Sequence, residues 1–231
     1  GKNDEYKIHY LIMNYLGASI GEIQAFYKFI LNIEIVYNVS LKMLDIIQIF
    51  HSFGCVHCDI KPNNFLLQND LKYPLVLIDF GFSQKHIDPS TNQPFPCVRE
   101  KRFMGTTKYS SIDILKSFSC GRKDDLISWF YSFIDLACGE TPWDGNKDDQ
   151  KIIQIKQEFK ISDCKYKFPS EIQEIYDYLK SLNYSDTPDY DHIRKLFVKG
   201  MKSDNFPPEQ FNWKEFLSKH SHMDLFEKVV T

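Results

Sequence analysis

The chain has 231 residues, a formal net charge of −3, and 43% hydrophobic against 26% charged residues. That length suits one large domain or two small ones, and the composition excludes a disordered chain. The slightly acidic balance argues against a general nucleic-acid binder, and no apolar run reaches the ~20 residues of a membrane-spanning helix.

Tyr6 to Met13 is rich in β-branched and aromatic residues and predicts a strand, with Asn14 to Gly17 as an extended linker. Ser19, with Glu22 three residues on, predicts a capping box and a short helix through about Phe29. Apolar residues at Ile35, Val39, Leu41, Leu44, Ile47 and Phe50 predict a long buried helix over Ile33 to Phe53, ending near Gly54. Phe65-Leu66-Leu67 and Leu75 to Ile78 read as two short strands around an Asn69-Asp70 turn. Phe82 to Met104 is polar, contains proline and shows no period, as functional or mobile loops do. Helical patterns follow over 122–138, 147–159, 170–182, 190–201, 213–219 and 222–229, the first apolar nearly all round. The expected fold class is therefore mainly α, with short β-strands in its first half.

One stretch organises the rest. Gly54 to Leu67 reads G-C-V-H-C-D-I-K-P-N-N-F-L-L, and Asp79-Phe80-Gly81 begins twelve residues after it. An H-x-D-x-K-P-x-N string followed by D-F-G resembles the paired catalytic and metal-binding signature of protein kinases. Phosphoryl transfer needs a carboxylate at the attacking hydroxyl, which is Asp59, and a cation near the transferred group, which is Lys61. Mg²⁺ prefers oxygen ligands, and Asn64 and Asp79 supply them. A lone D-F-G is weak evidence, since such residues also occur in surface turns. Two strings in order, with an apolar run feeding Asp79, make that alternative remote.

Six cysteines, at 55, 58, 97, 120, 138 and 164, include one C-x-x-C, Cys55-Val56-His57-Cys58. A zinc site lacks a second pair, and the stretch is already accounted for by Asp59 and Lys61. Reduced thiols are the default in the cytosol. With no secretory leader visible at the start, a cytoplasmic setting is expected, a nuclear one also being open.

Over Tyr6 to Trp213 the sequence resembles the casein kinase 1 family of protein Ser/Thr kinases, which includes a tau-tubulin kinase branch. D-I-K-P-N-N-F-L, L-I-D-F-G, P-C-V-R-E-K, G-T-T-K-Y-S-S-I, R-K-D-D-L-I-S, P-W-D-G and T-P-D-Y-D-H-I-R-K-L-F stand in that family's order. G-T-T-K-Y occupies the place of the A-P-E of most kinases. The resemblance implies ATP and Mg²⁺ as cofactors and a kinase-like fold. Met13 is then the gatekeeper, Asn14 and Leu16 the hinge groups facing adenine, and Leu66 the floor of that pocket, with Ile78 beside it. Thr106 bonds Asp59 and Lys61, and Asp125 holds the catalytic-loop backbone. Lys108 and Gly145 match the site that reads an acidic or phosphorylated residue of the protein substrate. An ungapped match puts Gln154 where that site has its second lysine, leaving Lys151 as a substitute. Without the resemblance, Lys108 and Lys151 read as solvated lysines.

Three departures stand out. Cys58 replaces the usual Arg, so an activation-segment phosphate loses its planar cation and control through one is not expected. Asp113 stands for the usual Asn, and Phe130 for a small Gly in the central helix. The 231 residues also contain no G-x-G-x-x-G loop and no V-A-I-K-like strand lysine. The resemblance therefore divides the chain into 1–16, a last N-lobe strand and hinge, and 17–231, the C-terminal lobe. Two functions follow as expectations. One is a Ser/Thr kinase whose 231-residue chain is inactive alone, with Tyr6–Met13 covered by an N-terminal lobe or a partner. The other is a non-catalytic scaffold built on a kinase lobe.

Overall fold

The computed structural model describes residues 1–3, 5–9, 12–100 and 105–221. Eight short strands and eight α-helices appear among them, the strands all before the helix-rich second half. In chain order the strands are β1 (Lys2–Asn3), β2 (Ile8–His9), β3 (Cys55–Val56), β4 (Phe65–Leu67), β5 (Leu75–Leu77), β6 (Gln84–Lys85), β7 (Ile87–Asp88) and β8 (Gln93–Pro94). The helices are α1 (Ile20–Phe26), α2 (Ile33–Ser52), α3 (Ile112–Leu115), α4 (Arg122–Cys138), α5 (Asp149–Glu158), α6 (Ser170–Ser181), α7 (Tyr190–Ser203) and α8 (Trp213–His220). None of the described helices is long and apolar enough to cross a membrane.

The capping box at α1 forms as its residues dictate. Glu22 N–H donates to the Ser19 hydroxyl at 3.1 Å, and Ser19 N–H to the Glu22 carboxylate at 2.7 Å. The helix stops at Phe26 rather than Phe29, because Lys28 and Phe29 take φ of 54° and 66°, which no helix continues through.

α4 is the centre of the core. Thirteen of its 17 residues are buried, so the all-round apolar run is enclosed on most sides. α2 packs along it, and the Trp129 indole N–H donates to the Ser40 carbonyl at 2.8 Å across that contact. Phe130, where a glycine was expected, is accommodated by stacking on Tyr176 of α6 at 5.1 Å between centroids. The α4 end is set by Gly139, whose φ of 77° and close approach to the Phe29 carbonyl suit only glycine.

β4 and β5 form the expected antiparallel hairpin, with Phe65 opposite Leu77 and Leu67 opposite Leu75. Gly17 N–H donates to the Leu67 carbonyl at 2.8 Å, and Leu67 N–H to Ala18 at 3.0 Å, which lays the linker along this hairpin.

Three expectations need correction. Within Tyr6–Met13 the described strand is Ile8–His9, and it has a neighbour, β1, before a turn in which Lys7 takes φ of 53°. Tyr10 and Leu11 lie outside the described residues; Ile12 and Met13 form no strand and are 84% and 53% exposed. The segment after Phe82 is not structureless: β6 pairs with β3, and β7 with β8. Two-residue strands are too short to leave a period in sequence. The expected helix over 222–229 and residues 101–104 lie outside the described residues.

Candidate active site

Asp59 follows β3 on a loop whose backbone is held from inside the core. Asp125 of α4, 1% exposed, accepts the N–H groups of His57 at 2.6 Å and Cys58 at 2.9 Å. Cys58 takes φ of 66°, and the next residue, Asp59, is buried at 4% exposure. His51 Nε2 lies 2.9 Å from the same carboxylate, and its Nδ1 lies 2.7 Å from the Tyr190 hydroxyl. Burial works to raise the Asp125 pKa, but the His51 hydrogen bond and charge and the His57 N–H outweigh it and hold the carboxyl below its ordinary value.

The loop is also tied to the hairpin. His57 Nε2 donates to the Ile78 carbonyl at 3.1 Å, and its Nδ1 accepts from Asp59 N–H at 3.3 Å. Ile78 N–H donates to the Asn64 carbonyl at 2.9 Å, so Asn64, just before β4, and Asp79, just after β5, start and end one hairpin.

Asp59, Lys61, Asn64 and Thr106 form one cluster. Lys61 Nζ lies 2.6 Å from Asp59 Oδ2 and donates to Thr106 Oγ1 at 3.0 Å, while the Thr106 hydroxyl donates to Asp59 Oδ1 at 2.7 Å. Asn64 Nδ2 donates to the Asp59 carbonyl at 2.8 Å and its carboxylate at 3.3 Å. Its amide oxygen is thereby left for another partner. Gly105, with φ of 109°, lets the Thr106 strip approach closely, since a Cβ there would stand 2.7 Å from the Cys58 carbonyl. Asp79 takes a left-handed backbone conformation at φ 63°, and its exposed side chain accepts a long 3.4 Å bond from Gly81 N–H. One amide oxygen and one carboxylate, both hard oxygen donors, fit Mg²⁺, which completes its shell with water and phosphate oxygens.

The chain matches the protein kinase domain family over residues 3–224. The chain is a member of the protein kinase domain family. A Dictyostelium discoideum protein described as a probable serine/threonine-protein kinase is 32% identical over 204 residues, 85% of this chain and 40% of its own length. The chain thus spans about two fifths of that relative.

The remaining sequence-derived residues fall in two places. Met13 and Asn14 are exposed, and Leu16, Leu66 and Ile78 are half-buried, with the Gly17–Ser19 pairing bringing the Leu16 end of the linker to β4. Lys108 is engaged: its Nζ pairs with Asp135 and Asp144, each at 2.8 Å. Burial works against its charge, but both carboxylates together raise its pKa. Gly145 is exposed with φ of 78° and open space around it, and Lys151 is exposed on α5. Asp113, the departure from Asn, accepts Lys123 Nζ at 2.6 Å.

Sequence reasoning missed Lys156, which is buried beneath the Thr106 strip. Its signal was available: it lies four residues after Ile152 and three after Ile153, on the apolar face of α5.

Proposed function

We propose that the chain is the C-terminal lobe, 17–231, of a casein kinase 1-type protein Ser/Thr kinase, with residues 1–16 as the last strand and hinge of the other lobe. The reaction is transfer of the ATP γ-phosphoryl group to a Ser or Thr hydroxyl. The observation that carries the reading is the closed triangle of Asp59, Lys61 and Thr106, at 2.6, 3.0 and 2.7 Å. Such a triangle places a base, a cation and a hydroxyl around one point, as in-line transfer requires. What supports the branch is the G-T-T-K-Y string in place of A-P-E.

In this reading Asp59 orients the acceptor hydroxyl and takes its proton, Lys61 offsets charge on the moving phosphoryl group, and Thr106 fixes both. Asn64 and Asp79 hold Mg²⁺, which when bound supplies charge neutralisation on the phosphates. Met13, Asn14, Leu16, Leu66 and Ile78 face adenine. Lys108, Gly145 and Lys151 read an acidic or phosphorylated residue of the substrate. The Gly-rich loop and strand lysine are not among these 231 residues, so we propose that the isolated chain binds ATP weakly.

The test is phosphoryl transfer from ATP to acidic Ser peptides, by this chain alone and by the chain joined to a Gly-rich lobe. Asp59→Asn in the joined form should lower kcat by ~10²–10⁴-fold and leave ATP affinity unchanged. Equal loss of both, or transfer unaffected by Asp59→Asn, would remove the assigned role, and absence of transfer in the joined form would favour the scaffold.

A further inference from the structure

α5 carries one charged side chain on its buried face. Lys156 is 1% exposed, and its ammonium donates to three backbone carbonyls: Ser110 at 2.6 Å, Thr107 at 2.9 Å and Lys108 at 3.1 Å. All three of its N–H donors are thereby used. The rings of Tyr131 and Trp143 each lie 4.8 Å from Nζ, giving cation–π support. The Trp143 indole also donates to the Lys108 carbonyl, at 2.7 Å. The strip gripped in this way begins one residue after Thr106 and runs past the proposed substrate-reading Lys108.

We propose that Lys156 is a positioning residue: by gathering the Thr107, Lys108 and Ser110 carbonyls on one ammonium, it holds the strip behind Thr106 in register with Asp59 and sets where the acceptor peptide lies. The catalytic half of this statement rests on the kinase reading above; the ordering of the strip does not. Three carbonyl oxygens converging on one point repel one another unless a cation sits between them. A neutral side chain of similar length leaves the Thr107 and Ser110 carbonyls without the ammonium in a buried site, the Lys108 carbonyl keeping the Trp143 indole, and the strip must open toward water.

The electrostatics give this grip a signature. Burial pushes the Lys156 ammonium down to about 7, with Asp144 acting weakly the other way. The other charged groups that line its surroundings are already paired: Lys123 of α4 with Asp113 and Asp124, and Lys180 of α6 with Asp177. The neighbouring phenols, Tyr131 and Tyr176, have raised pKa values through burial and stay neutral. Between about pH 7 and 10 the unfolded chain therefore holds a proton that the folded chain has released, and folding stability rises with pH. Over the same range the neutral amine keeps only two N–H donors and loses the charge that the carbonyls and the two rings face, so the grip weakens and the strip loosens. Global stability and strip order move in opposite directions, which a merely structural lysine does not produce.

Hydrogen-exchange mass spectrometry on the 231-residue chain reads both, as protection factors for 105–111 and for α4 between pH 6 and 8.5. Wild type should lose about tenfold of strip protection over that range while the protection of α4 rises. Lys156→Met should show low strip protection at every pH, and Lys156→Arg, which cannot lose its proton, should restore it without pH dependence. Strip protection unchanged in Lys156→Met, or falling in parallel with α4, overturns the proposal. In the joined form that turns over, Lys156→Met should raise peptide KM about tenfold and leave ATP KM alone; an ordered-strip loss with unaltered peptide KM overturns its catalytic half. Absence of transfer in wild type, with the exchange pattern as expected, refutes the kinase reading and leaves the strip result standing.

Discussion

The backbone N–H of His57 donates to the buried Asp125 carboxylate at 2.6 Å, across 68 residues of sequence. That bond fastens the loop carrying Asp59 to the most enclosed of the described helices, so the geometry of that loop is set by the core. Asp125 receives Cys58 N–H and His51 as well, which makes it the common point of α2, α4 and the loop.

Removing that carboxylate should be costly. Asp125→Ala leaves two buried N–H groups and His51 without their acceptor, and a loss of ~3–5 kcal/mol is expected in urea unfolding. The pH dependence has a definite sign. A carboxyl held below its ordinary value contributes stability above the unfolded pKa of about 3.9, lost as pH falls through the folded value. The acid limb of the stability curve should therefore be shallower in Asp125→Asn than in wild type, and superimposable limbs would contradict this account.

Thr106→Val keeps the volume of the side chain and removes its hydroxyl. Lys61 then keeps Asp59 alone, and the Asp59 carboxylate keeps Lys61 and the 3.3 Å Asn64 bond on Oδ2 while Oδ1 loses its hydroxyl donor. Under the proposed function kcat should fall ~10–100-fold, the value of one hydrogen bond to a charged group, with thermal stability nearly unaltered. Steady-state kinetics beside a melting curve separates this from simple unfolding.

Lys108 presents a different expectation, because its charge is shared by two carboxylates. The Asp135 side chain is 2% exposed and that of Asp144 is 31% exposed, so under the proposed function an arriving phosphate or acidic residue would displace Asp144. Asp144→Asn should lower KM for acidic peptides several-fold relative to neutral ones, and Lys108→Glu should do the reverse. Peptide competition series on both variants check this; an unchanged preference in each would remove Lys108 from the substrate site.

The sequence by itself determined the elements whose information is local. The apolar run from Leu126 to Leu136 made α4, the Ser19–Glu22 spacing made the start of α1, and the H-C-D-I-K-P-N and D-F-G strings pointed to the protein kinase family. Periodicity and motif spacing express such features because neighbouring residues alone produce them. Tertiary structure decided what depends on distant partners. Asp59 and Thr106 are 47 residues apart in sequence and 2.7 Å apart in space, and no local pattern states that distance. The pairing of β6 with β3 rests on two residues per strand, too few for a period, and the Lys108 charge is shared because α4 brings Asp135 beneath it. Lys156 shows the same division: its place on an apolar helix face was written in the sequence, but the three carbonyls that justify a buried ammonium were assembled only by packing α5 against the strip after Thr106.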